Sequence, residues 1–310
     1  MLEFVLRTGG LVKFVKMQGA GNDFIVLEAN AAAYDWSRLA LAICDRHYGI
    51  GADGLLMLEP SAAADFRMRI FNSDGSEAEA CGNGLRCLVR YFVDRKSGNF
   101  RDQALNPVRD GEISVETVGG IRKVQVHRMN DKLTKVKAGM GEPRFDAKDI
   151  PVRLECGGGR VITRKPMMTY AVQVDGWELP LALVSVGNSH AIYFSDKSVF
   201  EFPLSQVGPK VERHPMFPGG VNFEVARVVN RSQIEVSVWE RGVGETFACG
   251  SGACAVTVAA RLNGYIDDRV AVKLPGGVLE VEWTGAGEVF LSGPAETVFV
   301  GEWLEDHLGW

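Results

Sequence analysis

Ala80-Cys81-Gly82-Asn83-Gly84-Leu85-Arg86-Cys87 occurs a second time, altered but in step, as Ala248-Cys249-Gly250-Ser251-Gly252-Ala253-Cys254. In each copy a thiol is followed by a glycine-rich turn and then by a helical pattern. Leu85, Leu88, Val89 and Phe92 fall at helical spacing in the first copy. In the second, Ala253 to Ala260 is small and apolar nearly all round, which predicts a buried, closely packed helix. The two cysteines lie 168 positions apart (249 − 81), and the same offset carries Phe66, Met68, Ile70 and Asn72 onto Ile234, Val236, Val238 and Glu240. Those are two alternating strands that enter the same turn. At nearly the same offset (188 − 22 = 166), Gly21-Asn22 matches Gly187-Asn188. The chain therefore reads as two diverged copies of one domain, an internal repeat that decides the fold.

The turn has its own chemistry. A cysteine at a helix start sits near the positive end of the helix dipole and beside backbone N–H groups, and both favour the thiolate. The N–H groups of Gly82, Asn83, Gly250 and Ser251 suit a carboxylate. One turn can then hold a carboxylate while its thiol works on the adjacent carbon. Either copy alone reads first as a buried structural thiol in a glycine-rich turn, and it is the repeat that turns the reading toward chemistry. A pseudo-twofold pair would set two such turns on opposite sides of a cleft, a favoured place for a ligand. Two opposed thiols suit one reaction type, in which one removes a proton and the other returns one to the opposite face.

Composition narrows the classes. With 310 residues the chain is long enough for two domains, and 46% hydrophobic with 24% charged residues is ordinary for a soluble protein. A net charge of −5 with no basic run argues against nucleic acid. No apolar stretch is long enough to span a membrane, and Met1 to Leu6 lacks the features of a signal peptide, so a cytoplasmic protein is expected. The six cysteines, Cys44, Cys81, Cys87, Cys156, Cys249 and Cys254, form no CxxC pair and no zinc spacing with histidine, so no metal is expected. Cys44, Cys87, Cys156 and Cys254 read as structural. A thiol-redox or metal-binding module is the reading from another class, and the missing spacings speak against it.

Taken in order, Met1 to Gly10 is an extension without visible chemistry, and Leu11 to Lys16 alternates as a strand into a Gly-rich turn carrying Asn22. Turn chemistry alone would explain that asparagine. Ser37 is the expected N-cap of a helix bearing Leu39, Ala40 and Ile43 and ending near Arg46-His47. Gly49-Ile50-Gly51-Ala52-Asp53-Gly54 lacks the order of a phosphate loop. Asp94 to Asp110 reads as a loop, and Gly141-Glu142-Pro143 to Pro151 as a domain boundary. The second copy opens with strands near Leu154, Met168 to Val174 and Leu181 to Val186, and reaches His190, readable as a satisfied core histidine. Val221 to Glu224 opens a strand, Ile234 to Trp239 delivers Glu240-Arg241 to the second turn, and Glu288 to Leu291 reads as a late strand. An acid and a base at a strand end are usually solvated, but these hold the place of Asn72 upstream of a thiol, which favours function.

Seven stretches in order, Gly19 to Phe24, Arg46 to Gly54, Phe71 to Ser76, Cys81 to Gly84, Gly187 to His190, Val221 to Phe223, and Trp239 to Gly242 with Ala248 to Gly252, resemble the diaminopimelate epimerase family. The resemblance implies an α+β fold of two similar, pseudo-twofold-related domains, each a curled, mostly antiparallel sheet or barrel around a central helix. Its boundaries would be 1–145 with 296–310 returning, and 146–295. It also implies cofactor-independent epimerisation of LL- to meso-diaminopimelate for lysine and peptidoglycan precursors. Cys81 and Cys249 would be the acid/base pair, and Asn22, Asn72, Gly82, Asn83, Asn188, Asn222, Glu240, Arg241, Gly250 and Ser251 the substrate contacts. His190 and Glu240 would tune the thiols. A homodimer is expected from the same resemblance. Gly54 stands where some members have Gln, which removes a side-chain contact there. A two-thiol proline or hydroxyproline racemase is the nearest alternative, whose smaller substrate would not need Asn222, Glu240 and Arg241.

Overall fold

The computed structural model describes residues 11–29, 35–78, 81–96, 111–129 and 132–304. The N-terminal extension and residues 97–110 lie outside them. The chain divides into two units, with breaks between Val136 and Lys137 and between Gly293 and Pro294. The first break falls ahead of the Gly141–Pro151 stretch for a physical reason. From Lys137 onward the backbone is bonded into the second unit, with Met140 N–H donating to Val289 O at 2.8 Å and Val289 N–H to Gly141 O at 3.0 Å.

The first unit contains β1 (Leu11–Gly19), β2 (Asn22–Glu28), α1 (Trp36–Cys44), β3 (Gly54–Glu59), β4 (Phe66–Asn72), β5 (Glu77–Ala78), α2 (Gly82–Lys96), β6 (Gly111–Thr117) and β7 (Gly120–Met129). β8 (Lys132–Gly139) crosses the break. The second contains β9 (Arg160–Thr163), β10 (Met168–Val174), β11 (Trp177–Ser185), β12 (Ser189–Phe194), α3 (Leu204–Glu212), β13 (Asn222–Asn230), β14 (Gln233–Glu240), β15 (Gly244–Thr246), α4 (Gly250–Leu262), β16 (Arg269–Leu274), β17 (Gly277–Glu282) and β18 (Phe290–Gly293). β19 (Glu296–Leu304) returns to the first unit and pairs antiparallel with β1.

The two units share one pairing pattern. β2 is antiparallel to β1 and parallel to β3, β3 is antiparallel to β4, and β4 is parallel to β6, which is antiparallel to β7. The same relations recur among β11, β12, β13, β14, β16 and β17. The register agrees too: Leu56 lies opposite Val26 and Ile70, and Glu224 opposite Ile192 and Val238. Gly21 (φ 82°) and Gly187 (φ 84°) make the turns into β2 and β12 in the left-handed region, where a side chain is strained.

Each unit wraps strands around one helix. α2 packs on β1, β2, β3, β4 and β19, and α4 on β11, β12, β13, β16, β17 and β18. The small, apolar sequence of α4 is why it can be enclosed: Gly250 and Gly252 through Ala260 are all buried. The fold is of the α+β class.

Four local expectations change. Asp35 caps α1, accepting from Arg38 N at 3.2 Å, so the helix begins one residue before Ser37, and it stops at Cys44. Asp94 belongs to α2, where it pairs with Arg90 one turn away. Leu154–Cys156 is a single 3₁₀ turn, and the late strand starts at Phe290. α3 had no sequence signal because Gly208 and Pro209 sit inside it. Gly208 is required there by packing, since a Cβ would lie 2.7 Å from the Trp239 ring.

Candidate active site

In the first unit, the turn before α2 brings three predicted residues together. Cys81, half-buried, aims its thiol at Asn22 Oδ1, 3.8 Å away, and its sulfur accepts from Gly84 N–H at 3.4 Å. Asn83 Nδ2 donates to the same Asn22 oxygen at 3.3 Å. That amide cannot be turned round, because Asn22 Nδ2 donates to Asp53 Oδ2 at 2.6 Å. Asp53 also accepts from Asp23 N–H at 3.0 Å, and Arg46 bridges the two carboxylates, at 2.7 Å to Asp23 and 2.8 Å to Asp53. The Arg46–Gly54 stretch thus orients Asn22. Beneath the turn, Arg86 is wholly buried and donates to Asn83 Oδ1 at 2.8 Å and to Gly82 O at 3.3 Å. Asn72, at the end of β4, is exposed and donates to Ser76 Oγ at 2.9 Å. Gly54 lies opposite Asn72, and a Cβ there would come within 2.8 Å of Phe71 O, so this backbone has no room for a side chain.

In the second unit, Cys249 is the N-cap of α4 and is 5% exposed, with Sγ 3.5 Å from Ser251 Oγ. His190 is wholly buried between Asn188 and Glu224: Nε2 is 2.8 Å from Asn188 Oδ1, and Nδ1 is 2.6 Å from Glu224 Oε1. Glu240 accepts from Thr246 Oγ1 at 2.5 Å. Asn222 is buried and its Oδ1 accepts from Arg241 N–H at 2.8 Å, so it shapes the Arg241 backbone. The Arg241 guanidinium donates to Gly219 O at 3.0 Å. Burial, then the charges of Glu240 and Glu224, push the Cys249 thiol well above its ordinary value, against smaller opposing effects of the Ser251 hydroxyl and Gly252 N–H.

Three residues of these turns carried no recognised signal. Arg86 sits in the quoted motif, yet its place on a helix reads as surface. Glu224 follows Asn222 in a strand, where a charge at an inward position would have been the clue. Glu212 is buried at the end of α3 and accepts from Trp239 Nε1 at 2.7 Å and Gly242 N–H at 3.0 Å, fixing the strand end that carries Glu240 and Arg241. Among the described residues no three His, Cys, Asp or Glu side chains gather so as to hold a metal ion, and no helix is long and apolar enough to cross a membrane.

Among solved structures, a hydroxyproline epimerase from Agrobacterium vitis, with bound trans-4-hydroxy-L-proline, shares the fold at a TM-score of 0.68 and 14% identity, over 97% of this chain and 94% of its own. A Bacillus anthracis phenazine biosynthesis protein of the PhzF family does so at 0.66 and 16%, over 95% and 99%. Sequence relatives are nearer. The diaminopimelate epimerase of Acetivibrio thermocellus is 43% identical over 293 residues, 94% of this chain and 98% of its own. That of Methanococcus maripaludis strain C6 is 41% identical, over 94% and 99%. The diaminopimelate epimerase family model matches residues 14–145 and 182–298. With both thiol turns inside that match, the chain belongs to the diaminopimelate epimerase family, a family of isomerases.

Proposed function

We propose that this chain epimerises LL-diaminopimelate to meso-diaminopimelate without a cofactor, with Cys81 and Cys249 as paired acid and base, in lysine and peptidoglycan-precursor biosynthesis. In this reading it works in the cytoplasm as a homodimer. The observation that carries the mechanism is the duplication itself: each unit sets one cysteine at the head of its enclosed helix. An amino-acid α-hydrogen is very weakly acidic, so a base alone is insufficient. The α-carboxylate must take up charge as the carbanion forms. The first-turn N–H groups of Gly82, Asn83, Gly250 and Ser251 supply that stabilisation, and losing one such donor typically costs about 10²–10³ in rate. One thiolate removes the proton, and the other thiol protonates the planar carbon from the opposite face. The cycle needs one cysteine ionised and one neutral, so their titrations are coupled.

The distal end of the substrate is a second amino acid. Arg241 binds its carboxylate, and Glu240 with Asn22, Asn72, Asn188 and Asn222 binds its polar groups. The test is proton NMR of the protein with LL-diaminopimelate in D₂O, no cofactor added, beside Cys81→Ala and Cys249→Ala. Loss of the α-proton signal with appearance of the meso isomer, absent in both variants, is expected. Exchange of trans-4-hydroxy-L-proline and not of diaminopimelate would replace this reading with the smaller-substrate racemase.

A further inference from the structure

The wholly buried Glu224 carboxylate has no counterpart in the first unit and no assigned part in the reaction. One of its oxygens, Oε1, is committed to His190. The other, Oε2, is buried without a hydrogen-bond partner. An acceptor left in that state costs free energy, so its retention needs a reason. Its surroundings supply one. A Cβ built on Gly252 would fall 2.8 Å from Glu224 Oε1, 3.3 Å from Cys249 Cβ and 3.4 Å from Cys249 Sγ. The carboxylate therefore lies against the first turn of α4, beside the thiol, with only the bare glycine between them. Three elements bring titratable groups to this spot: His190 from β12, Glu224 from β13 and Glu240 from β14.

We propose that Glu224 is a positioning residue for the second thiol: tied to His190 and lodged against Gly252, it keeps the proton on Cys249, so this turn enters the reaction as proton donor. The proposal rests on the two-thiol reading above. In the donor step the Cys249 S–H bond breaks, its proton passes to the α-carbon, and the carbanion electron pair becomes the new C–H bond. Sγ is left as thiolate, and the proton removed from the opposite face stays on Cys81. Beside a carboxyl group in a buried site the thiolate is disfavoured, so after product leaves Cys249 takes a proton from water while Cys81 gives its own up to water, which restores the starting state. Burial raises the Glu224 carboxyl above its ordinary value, the charge and hydrogen bond of His190 oppose that rise, and the charge of Glu240 adds to it.

The test reads Cys249 directly. Without substrate, iodoacetamide labelling followed by peptide mass spectrometry gives the pH of half-alkylation of Cys249. In the wild type this is expected above the ordinary thiol value of 9.0. Glu224→Gln, of the same shape, is expected to lower it by at least one pH unit and to cut kcat at least tenfold with KM within twofold. Glu224→Asp restores part of both. Half-alkylation of wild-type Cys249 at or below pH 9 overturns the proposal even if no variant folds. So do a wild-type profile and kcat in Glu224→Gln. Failure of the wild type to exchange the α-proton of diaminopimelate instead overturns the substrate proposed above, and a shifted Cys249 profile would survive it.

Discussion

At the glycine of close approach, the first turn meets hydrocarbon and the second meets a carboxyl group hydrogen-bonded to an imidazole. A Cβ on Gly84 would meet Leu56 Cδ2 at 2.9 Å, with Ile70 and Met68 beyond, whereas one on Gly252 meets Glu224. By register Leu56 occupies the Glu224 position, and by the 166-residue offset Phe24 occupies that of His190. The first unit carries its charges in Arg86 beneath the turn and in the Lys16, Asp23, Arg46 and Asp53 cluster that holds Asn22. Duplication thus preserved the turn, the helix and the close approach at one glycine, while the side chain that faces the glycine diverged between Leu56 and Glu224. The two-thiol reaction proposed above, which needs one ionised and one neutral thiol, would be served by unlike surroundings.

The comparison breaks most visibly at position 241, whose equivalent at the 168-residue offset is Ser73. Arg241→Ser makes the second strand end like the first. Losing one partner of a hydrogen-bonded charge pair that is buried in the complex typically costs about 2–5 kcal/mol, so kcat/KM for diaminopimelate is expected to fall about 30-fold or more with the circular dichroism unchanged. Near-normal kinetics would refute the distal-carboxylate role. The two glycines give a matched pair of smaller effects. At Gly84 the added methyl meets the end of a flexible leucine, and alanine gains about 1 kcal/mol of helix propensity, so Gly84→Ala should stay within about twofold of wild-type turnover. At Gly252 the methyl meets a carboxylate pinned by His190, and Gly252→Ala should lose about tenfold in kcat, roughly 1.4 kcal/mol. Equal effects at the two positions would mean that the Leu56 and Glu224 surroundings do not differ in consequence.

What could be read from the sequence was whatever repeats or alternates. The 168-residue offset exposed both thiol turns and the strands feeding them, because alternation and helical spacing survive divergence. The α+β class came with the resemblance to the diaminopimelate epimerase family, and the duplication agreed with it. Residues that act through burial were not legible. Nothing local marks Arg86 or Glu212 as interior, since a charge on a helix reads as solvated until the strands that cover it are known. Glu224 is the instructive case: its spacing from Asn222 put it on the same strand face, but only the paired neighbour strands show that this face is enclosed. α3 was lost for the opposite reason, as Gly208 and Pro209 are local signals against a helix, overridden by the Trp239 ring.

The smallest effect tests whether the first unit's charge cluster acts on stability. Burial alone would raise the Asp23 carboxyl, but hydrogen bonds from Arg46 and Lys16, reinforced by their charges, hold it at about 2. A carboxyl lowered on folding contributes stability that is fully present above its unfolded value, near 3.8, and is lost as pH falls through that value toward 2. The equivalent position in the second unit at the 166-residue offset is Ser189, which has no such titration. Asp23→Asn should therefore lower stability at pH 6 and flatten its decline between pH 4 and pH 2.5, the part due to this carboxyl being about 1 kcal/mol once solvent screening is allowed for. Urea unfolding across that range measures it. An unchanged slope would show that Lys16 and Arg46 hold Asp23 only in place, and that its charge does not stabilise the unit.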